Sequence, residues 1–262
     1  MRLHAICEID FDAEIPVAAM LMLRPRSGAA QWISHERYAL TPQVPVIEFT
    51  DLFGNLCQRL VIPAGGATLR AQCIADVADT VDVDFGATYI LPQFLPESVL
   101  PFTFASRYCP SDQLVQLALE VTAGVAPGYP QVNAIREWIN RNIKYQYGAS
   151  TPVTTALDTV NTRQGVCRDF THLGIALCRA LNIPARMVAG YTLELDEPDL
   201  HAWFEAFVGE RWFVFDAVQK QGTTGNRLAI AYGRDATDVA LVTQFGPLNL
   251  QNLKVSVSVA HD

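Results

Sequence analysis

The 262-residue chain sets 19 Lys and Arg against 27 Asp and Glu, a formal charge of −8. It has no basic run that could displace counterions from a nucleic-acid backbone. Half of its residues are hydrophobic and 18% are charged, a balance that builds a core and excludes a disordered chain. No apolar stretch is long enough to cross a bilayer and no signal-peptide pattern follows Met1, so the expectation is a cytoplasmic protein with neither membrane nor nucleic-acid partners. Cys7, Cys57, Cys73, Cys109, Cys167 and Cys178 are scattered without a C-x-x-C pair, which suits reduced thiols better than a disulfide framework.

Residues 1–105 read as a β domain. Leu3, Ala5, Cys7, Ile9 and Phe11 alternate with His4, Ile6, Glu8 and Asp10, the period of a strand with one buried face. Val46–Phe49 and Leu56–Ile62 flank the loop Asp51-Leu52-Phe53-Gly54-Asn55 and predict a hairpin. Ala67–Val77 supplies a further strand. Short strands at this spacing imply an antiparallel sandwich or small barrel.

Three prolines between Leu91 and Pro101 mark a linker, and residues 106–262 read as a second domain that opens with helices. Ser111 is placed to cap a helix running to Val121. Pro130 suits the start of the next, with Val132, Ile135, Trp138 and Ile139 on one face. A shorter helical stretch surrounds Ala156, Leu157 and Val160.

A loop then becomes a helix at Gln164-Gly165-Val166-Cys167-Arg168-Asp169-Phe170. Phe170, Leu173, Gly174, Leu177, Cys178 and Leu181 fall at the spacing of a buried helix face, and Asn182-Ile183-Pro184 stops it. Cys167 therefore stands at the helix N-terminus. Unpaired N–H groups and the macrodipole favour negative charge at such a place, which suits a thiolate nucleophile.

Next come two aromatic and β-branched segments, His201–Val208 and Arg211–Asp216, with only Gly209-Glu210 between them. That pattern predicts a hairpin with a two-residue turn. In this register Val208 faces Arg211 and Trp203 faces Asp216, so His201 lies diagonal to Asp216 on the same face, within side-chain reach. Asp216 can then orient His201, and the other ring nitrogen is free to serve the thiol as a base. A one-residue slip would put the two on opposite faces. Val255–Val259 alternates with serine and predicts an edge or closing strand.

Gly165–Leu173, Leu181–Tyr191, Asp199–Trp203 and Trp212–Asp216, in that order, closely resemble the motifs of bacterial transglutaminase-like proteins of the papain-like superfamily. Asp51–Asn55 likewise resembles the β region that often precedes their catalytic core. Leu200 stands where the family often has a small residue, and Ala217 where a proline often follows the aspartate. The resemblance implies an α+β fold, with an N-terminal antiparallel β domain followed by a core in which the nucleophile helix packs on an antiparallel sheet. It implies a Cys167–His201–Asp216 catalytic triad, no cofactor and no metal, and a peptide or protein amide as substrate. Gln164, Tyr191 and Trp203 are candidates for oxyanion or substrate binding. The activity implied is acyl transfer through a thioester, as peptidase, amidase or transglutaminase. The alternative is a catalytically silent peptide-binding module that keeps the cleft.

Overall fold

A computed structural model describes residues 1–28, 30–193, 199–219 and 225–260. The N-terminal region is built from β1 (Arg2–Asp12), β2 (Val17–Arg24), β3 (Gln31–Thr41), β4 (Val46–Thr50), β5 (Leu56–Ile62) and β6 (Ala67–Val77). The expected hairpin at Asp51–Asn55 joins β4 to β5, and β6 has the expected bounds. A long connection follows, with short 3-10 turns at Pro92–Phe94 and Leu100–Thr103. Then come α1 (Val115–Val121), α2 (Tyr129–Asn142), the two-residue strand β7 (Lys144–Tyr145), α3 (Ala156–Thr162), its partner β8 (Gln164–Gly165) and α4 (Cys167–Ala180). Beyond these lie β9 (Ala185–Thr192), β10 (His201–Val208), β11 (Arg211–Phe215), β12 (Arg227–Gly233), β13 (Val242–Gln244) and β14 (Asn249–Val259).

Three four-stranded antiparallel sheets result, in the orders β14-β1-β6-β3, β13-β2-β5-β4 and β11-β10-β9-β12. The architecture is α+β, as expected. The strand predicted at Val255–Val259 is the edge strand β14, and it pairs with β1 from Leu3↔Val259 to Asp12↔Asn249. β13 joins β2 in the same way. The last two strands therefore complete the N-terminal sheets, and an assignment of all of 106–262 to the catalytic unit does not describe them. The helical start also differs from expectation. Ser111 opens a 3-10 turn and makes no side-chain cap, so α1 begins only at Val115.

The sheet that carries the site is docked onto the β region by two buried carboxamides. Gln31 Nε2 donates to the Ala229 carbonyl at 2.8 Å, and the Ala229 N–H donates back to Gln31 Oε1 at 2.8 Å. Asn55 treats Tyr232 identically, at 2.7 and 2.8 Å. Each amide thus stands in for a strand residue along β12. Asp51 fixes the second clamp by accepting from the Phe53 and Asn55 N–H groups and from Asn55 Nδ2, at 2.8–2.9 Å.

α4 lies across β10 at close range. A Cβ at Gly174 would stand 2.4 Å from the Phe204 ring, so only glycine permits this approach. The far end of α4 is tied down by Arg179, buried, which donates to the carbonyls of Phe102, Phe104, Ala185 and Arg234 and to Ser106 Oγ. Asn182, at φ 58°, then reverses the chain, and the Ile183 N–H closes the helix on the Cys178 carbonyl at 3.0 Å.

Replacing Asn55 with alanine leaves the Tyr232 N–H and carbonyl without partners in a buried interface. Chemical denaturation should show a loss of about 2–4 kcal/mol. A loss within experimental error would mean that the carboxamide clamp does not hold the two sheets together.

Candidate active site

Cys167 is the first residue of α4 and is half-buried. The turn that presents it is built by its neighbours. Asp169 reaches back to accept the Val166 N–H at 2.8 Å, satisfying one of the donors a helix start leaves unpaired. That carboxylate fills the space in front of Gly165, where a Cβ would lie 2.7 Å from Asp169 Cβ. Arg168 steadies the same turn by donating to the Thr151 carbonyl at 2.6 Å.

The hairpin of β10 and β11 has the predicted register, from Val208↔Arg211 to Phe204↔Phe215. Gly209 and Glu210 both take positive φ, 54° and 66°, the mirror-image turn that matches strand twist. His201, the first residue of β10, consequently meets Asp216 just past the end of β11, with Nε2 2.7 Å from Asp216 Oδ2. Asp216 is a carboxylate and can only accept, so Nε2 carries the proton of this bond. Nδ1 is buried without a hydrogen-bond partner, and the sulfur that acts on the ring is that of Cys167.

Asp216 is held from three sides. Its Oδ2 also accepts from Arg227 Nη2 at 3.1 Å, and its Oδ1 accepts the Val218 N–H at 3.0 Å. The segment after it is clasped by α2, where Asn140 Nδ2 donates to the carbonyls of Ala217 and Val218 at 2.9 and 3.2 Å. Burial opposes the charge on both members of the pair, yet their mutual bond prevails. Asp216 falls from 3.8 to about 2 with help from Arg227, and His201 rises from 6.5 to about 9 with help from Cys167.

The three tentative substrate residues fare differently. Gln164 lies in β8, three residues before Cys167, paired with Lys144 and half-buried. Tyr191 is 1% exposed and its hydroxyl lies against the Cys7 thiol of the N-terminal sheet, so it belongs to the core and lines no open cleft. Trp203 is 2% exposed, with its ring 6.1 Å from that of His201. It packs with Val188 and Ala229 and shields the histidine without offering a surface to a ligand.

Sequence reasoning missed Tyr145. The parallel pair β7–β8 sets Tyr145 opposite Gly165, and the Tyr145 hydroxyl comes within hydrogen-bonding reach of the Cys167 N–H. Burial foremost, and the Cys167 sulfur after it, push that hydroxyl up, which keeps it a proton donor. Tyr147 stands edge-on to it at 5.3 Å and is 61% exposed. A two-residue strand is too short for its periodicity to announce it; only the alternation of Ile143, Tyr145 and Tyr147 with Lys144 and Gln146 hinted at structure there. The other histidine of α4, His172, is stacked on Tyr108 at 5.0 Å and accepts the Ala236 N–H at 3.1 Å. Burial lowers it to about 3, so it remains neutral and structural. A cavity of about 610 Å³ opens among Phe53, Phe102, Arg186, Trp212 and Tyr232, and its lining includes none of Cys167, His201 and Asp216.

The signs of the two shifts define a pH window. His201 is raised, so its contribution to stability is complete below 6.5 and is lost as pH climbs through about 9. Asp216 is lowered, so its share is complete above 3.8 and is lost as pH falls through about 2. Nitrogen-15 NMR should therefore find the His201 midpoint near 9, dropping below 6.5 in Asp216→Asn, where burial prevails. An unchanged midpoint in that variant would refute the assigned pairing.

Comparison with known proteins bears on the fold. The family model described as "Transglutaminase-like superfamily" matches residues 115–217. A solved structure of a "Putative Cysteine Protease" from Cytophaga hutchinsonii is 33% identical, covers 100% of this chain and 91% of its own, and superposes with a TM-score of 0.91. An uncharacterised protein of Mycobacterium leprae is 24% identical over 256 residues, 91% of each chain. Another, from Mycobacterium tuberculosis, is 28% identical over 268 residues, covering 90% of this chain and 84% of its own. With α4 laid on an antiparallel sheet and an N-terminal β region in place, the chain belongs to the transglutaminase-like superfamily of bacterial proteins.

Proposed function

We propose that the protein is a cysteine-dependent acyl transferase or hydrolase acting on amide bonds of a peptide or protein, through Cys167, His201 and Asp216. The observation that carries this reading is the 2.7 Å bond between His201 Nε2 and Asp216 Oδ2, which leaves Nδ1 for the thiol at the start of α4. Cys167, as thiolate, attacks the carbonyl carbon; a C–S bond forms and the π electrons move to oxygen. The resulting oxyanion is met by the Cys167 N–H and the Tyr145 hydroxyl, a pair the contacts favour over the Gln164 amide. As the intermediate collapses, the C–N bond breaks and the amine leaves with the proton from His201 Nδ1. Water, or an amine acceptor, then attacks the thioester carbon while His201 Nδ1 takes its proton. The second oxyanion collapses, the C–S bond breaks, and the Cys167 thiolate leaves with the acid or new amide released. Asp216 keeps the imidazole in one tautomer and stabilises its cation throughout.

The substrate is proposed to approach along the loop after β7, where Tyr147 is exposed beside Tyr145. The absence of a helix long and apolar enough to cross a membrane, among the described residues, is compatible with either a cytoplasmic or a periplasmic setting, and the proposed chemistry requires neither.

Incubation with a panel of peptide amides and activated esters should yield an acyl adduct on the Cys167-containing peptide, seen by mass spectrometry and discharged by water or an added amine. Cys167→Ala should give no adduct, and His201→Ala should lose at least about a thousandfold in turnover. Tyr145→Phe should lose about tenfold to a hundredfold in kcat with little change in KM, the mark of a donor used only in the transition state. Turnover by a folded Cys167→Ala protein equal to wild type would rule the mechanism out.

A further inference from the structure

Asp216 Oδ2 serves two cations at once, His201 Nε2 at 2.7 Å and Arg227 Nη2 at 3.1 Å. The side chains of Asp216 and Arg227 are almost wholly enclosed, 5% and 7% exposed. An arginine spent on an oxygen that already has a partner calls for an explanation, because burying a guanidinium is costly unless its charge is matched. The match becomes visible when all four groups are counted in the proposed working state. Thiolate, imidazolium, carboxylate and guanidinium alternate in sign along the line Cys167–His201–Asp216–Arg227, and their charges cancel. Without the arginine the same enclosed array would carry a net negative charge.

We propose that Arg227 is a positioning residue of the triad: it locks the Asp216 carboxylate with Oδ2 toward His201 and supplies the charge that makes the working array neutral. The inference rests on the acyl-transfer reading above. Arg227 is itself fixed by its bond to the Gly225 carbonyl at 3.0 Å and by Gln219 Oε1, so it offers Asp216 a preset direction. The carboxylate's other oxygen holds the Val218 N–H. Among the described residues, the titratable and charged groups around Asp216 come from four elements: Cys167 from α4, His201 from β10, Arg227 from β12 and Arg136 from α2. Arg136 lies across a cavity of about 140 Å³ that Asp216 and Arg227 also line, and it bonds Asn133 and pairs with Glu137. Arg227 is the one of the two arginines in that cavity that bonds the carboxylate.

The test compares wild type, Arg227→Gln and Arg227→Lys by nitrogen-15 NMR of His201 and by the pH profile of kcat/KM. Removing the neighbouring cation should raise the His201 midpoint by about one unit or more in Arg227→Gln. The alkaline limb of kcat/KM should move up with it, and its plateau should fall at least about tenfold. Arg227→Lys should return the midpoint close to wild type and recover part of the rate. A residue that merely braces the fold would lower stability and leave the His201 midpoint in place; that result in a folded Arg227→Gln protein would overturn the proposal. Should Arg227→Gln not fold, the wild-type guanidinium resonances decide: they should shift as His201 titrates, and indifference would overturn it. The titrations need no substrate, so they stand apart from any failure to find acyl transfer.

Discussion

The site depends on how closely a helix can lie on a strand. Gly174 of α4 faces the Phe204 ring of β10 with no room for even a methyl group, and this contact fixes the height of the helix over the sheet. Cys167 is seven residues before Gly174, two turns up the same helix, and His201 is three residues before Phe204 on the same strand. The contact therefore acts as the hinge pin from which Cys167 and His201 are both measured. Everything else about α4 supports that placement. Asp169 shapes its first turn, and Arg179 gathers carbonyls from the linker, β9 and the turn after β12 around its last.

Electrostatics then decide what the placement can do. A buried histidine would ordinarily be neutral, as His172 is on the same helix. His201 differs because a carboxylate sits on one nitrogen and a sulfur acts on its ring. The contrast lies within one small region, so it comes from partners, with burial common to both. Asp216 is able to stay charged in that enclosure because Arg227 and the Val218 N–H share the task with the imidazole.

The hairpin of β10 and β11 was legible because period-two alternation and a two-residue gap leave a single register, and that register fixed His201 against Asp216. Helix α4 was legible because its apolar spacing and its Asn-Ile-Pro stop agreed. The loop Asp51–Asn55 could be read as a hairpin but not as a clamp, since nothing local shows that Asn55 pairs with Tyr232, 177 residues away. Tyr191 was misread for a related reason: an aromatic beside a cleft motif looks the same in sequence whether it faces a ligand or Cys7. Tyr145 was invisible because a two-residue strand has no pattern. Ser111 was expected to cap a helix, yet the chain first makes a 3-10 turn, a choice set by packing rather than by local propensity.

The return of β14 to β1 bears on how the molecule is made. Leu3 pairs with Val259, 256 residues further along (259 − 3 = 256), so a chain emerging from the ribosome holds β1 with one flank open until β14 has been made. Helix α4 and its sheet are complete before that flank is covered. Long-range pairings of this kind form late and leave strand edges exposed in the interval. Nascent chains of this protein should accordingly be most in need of chaperone shelter at the N-terminal sheet, far from the start of α4.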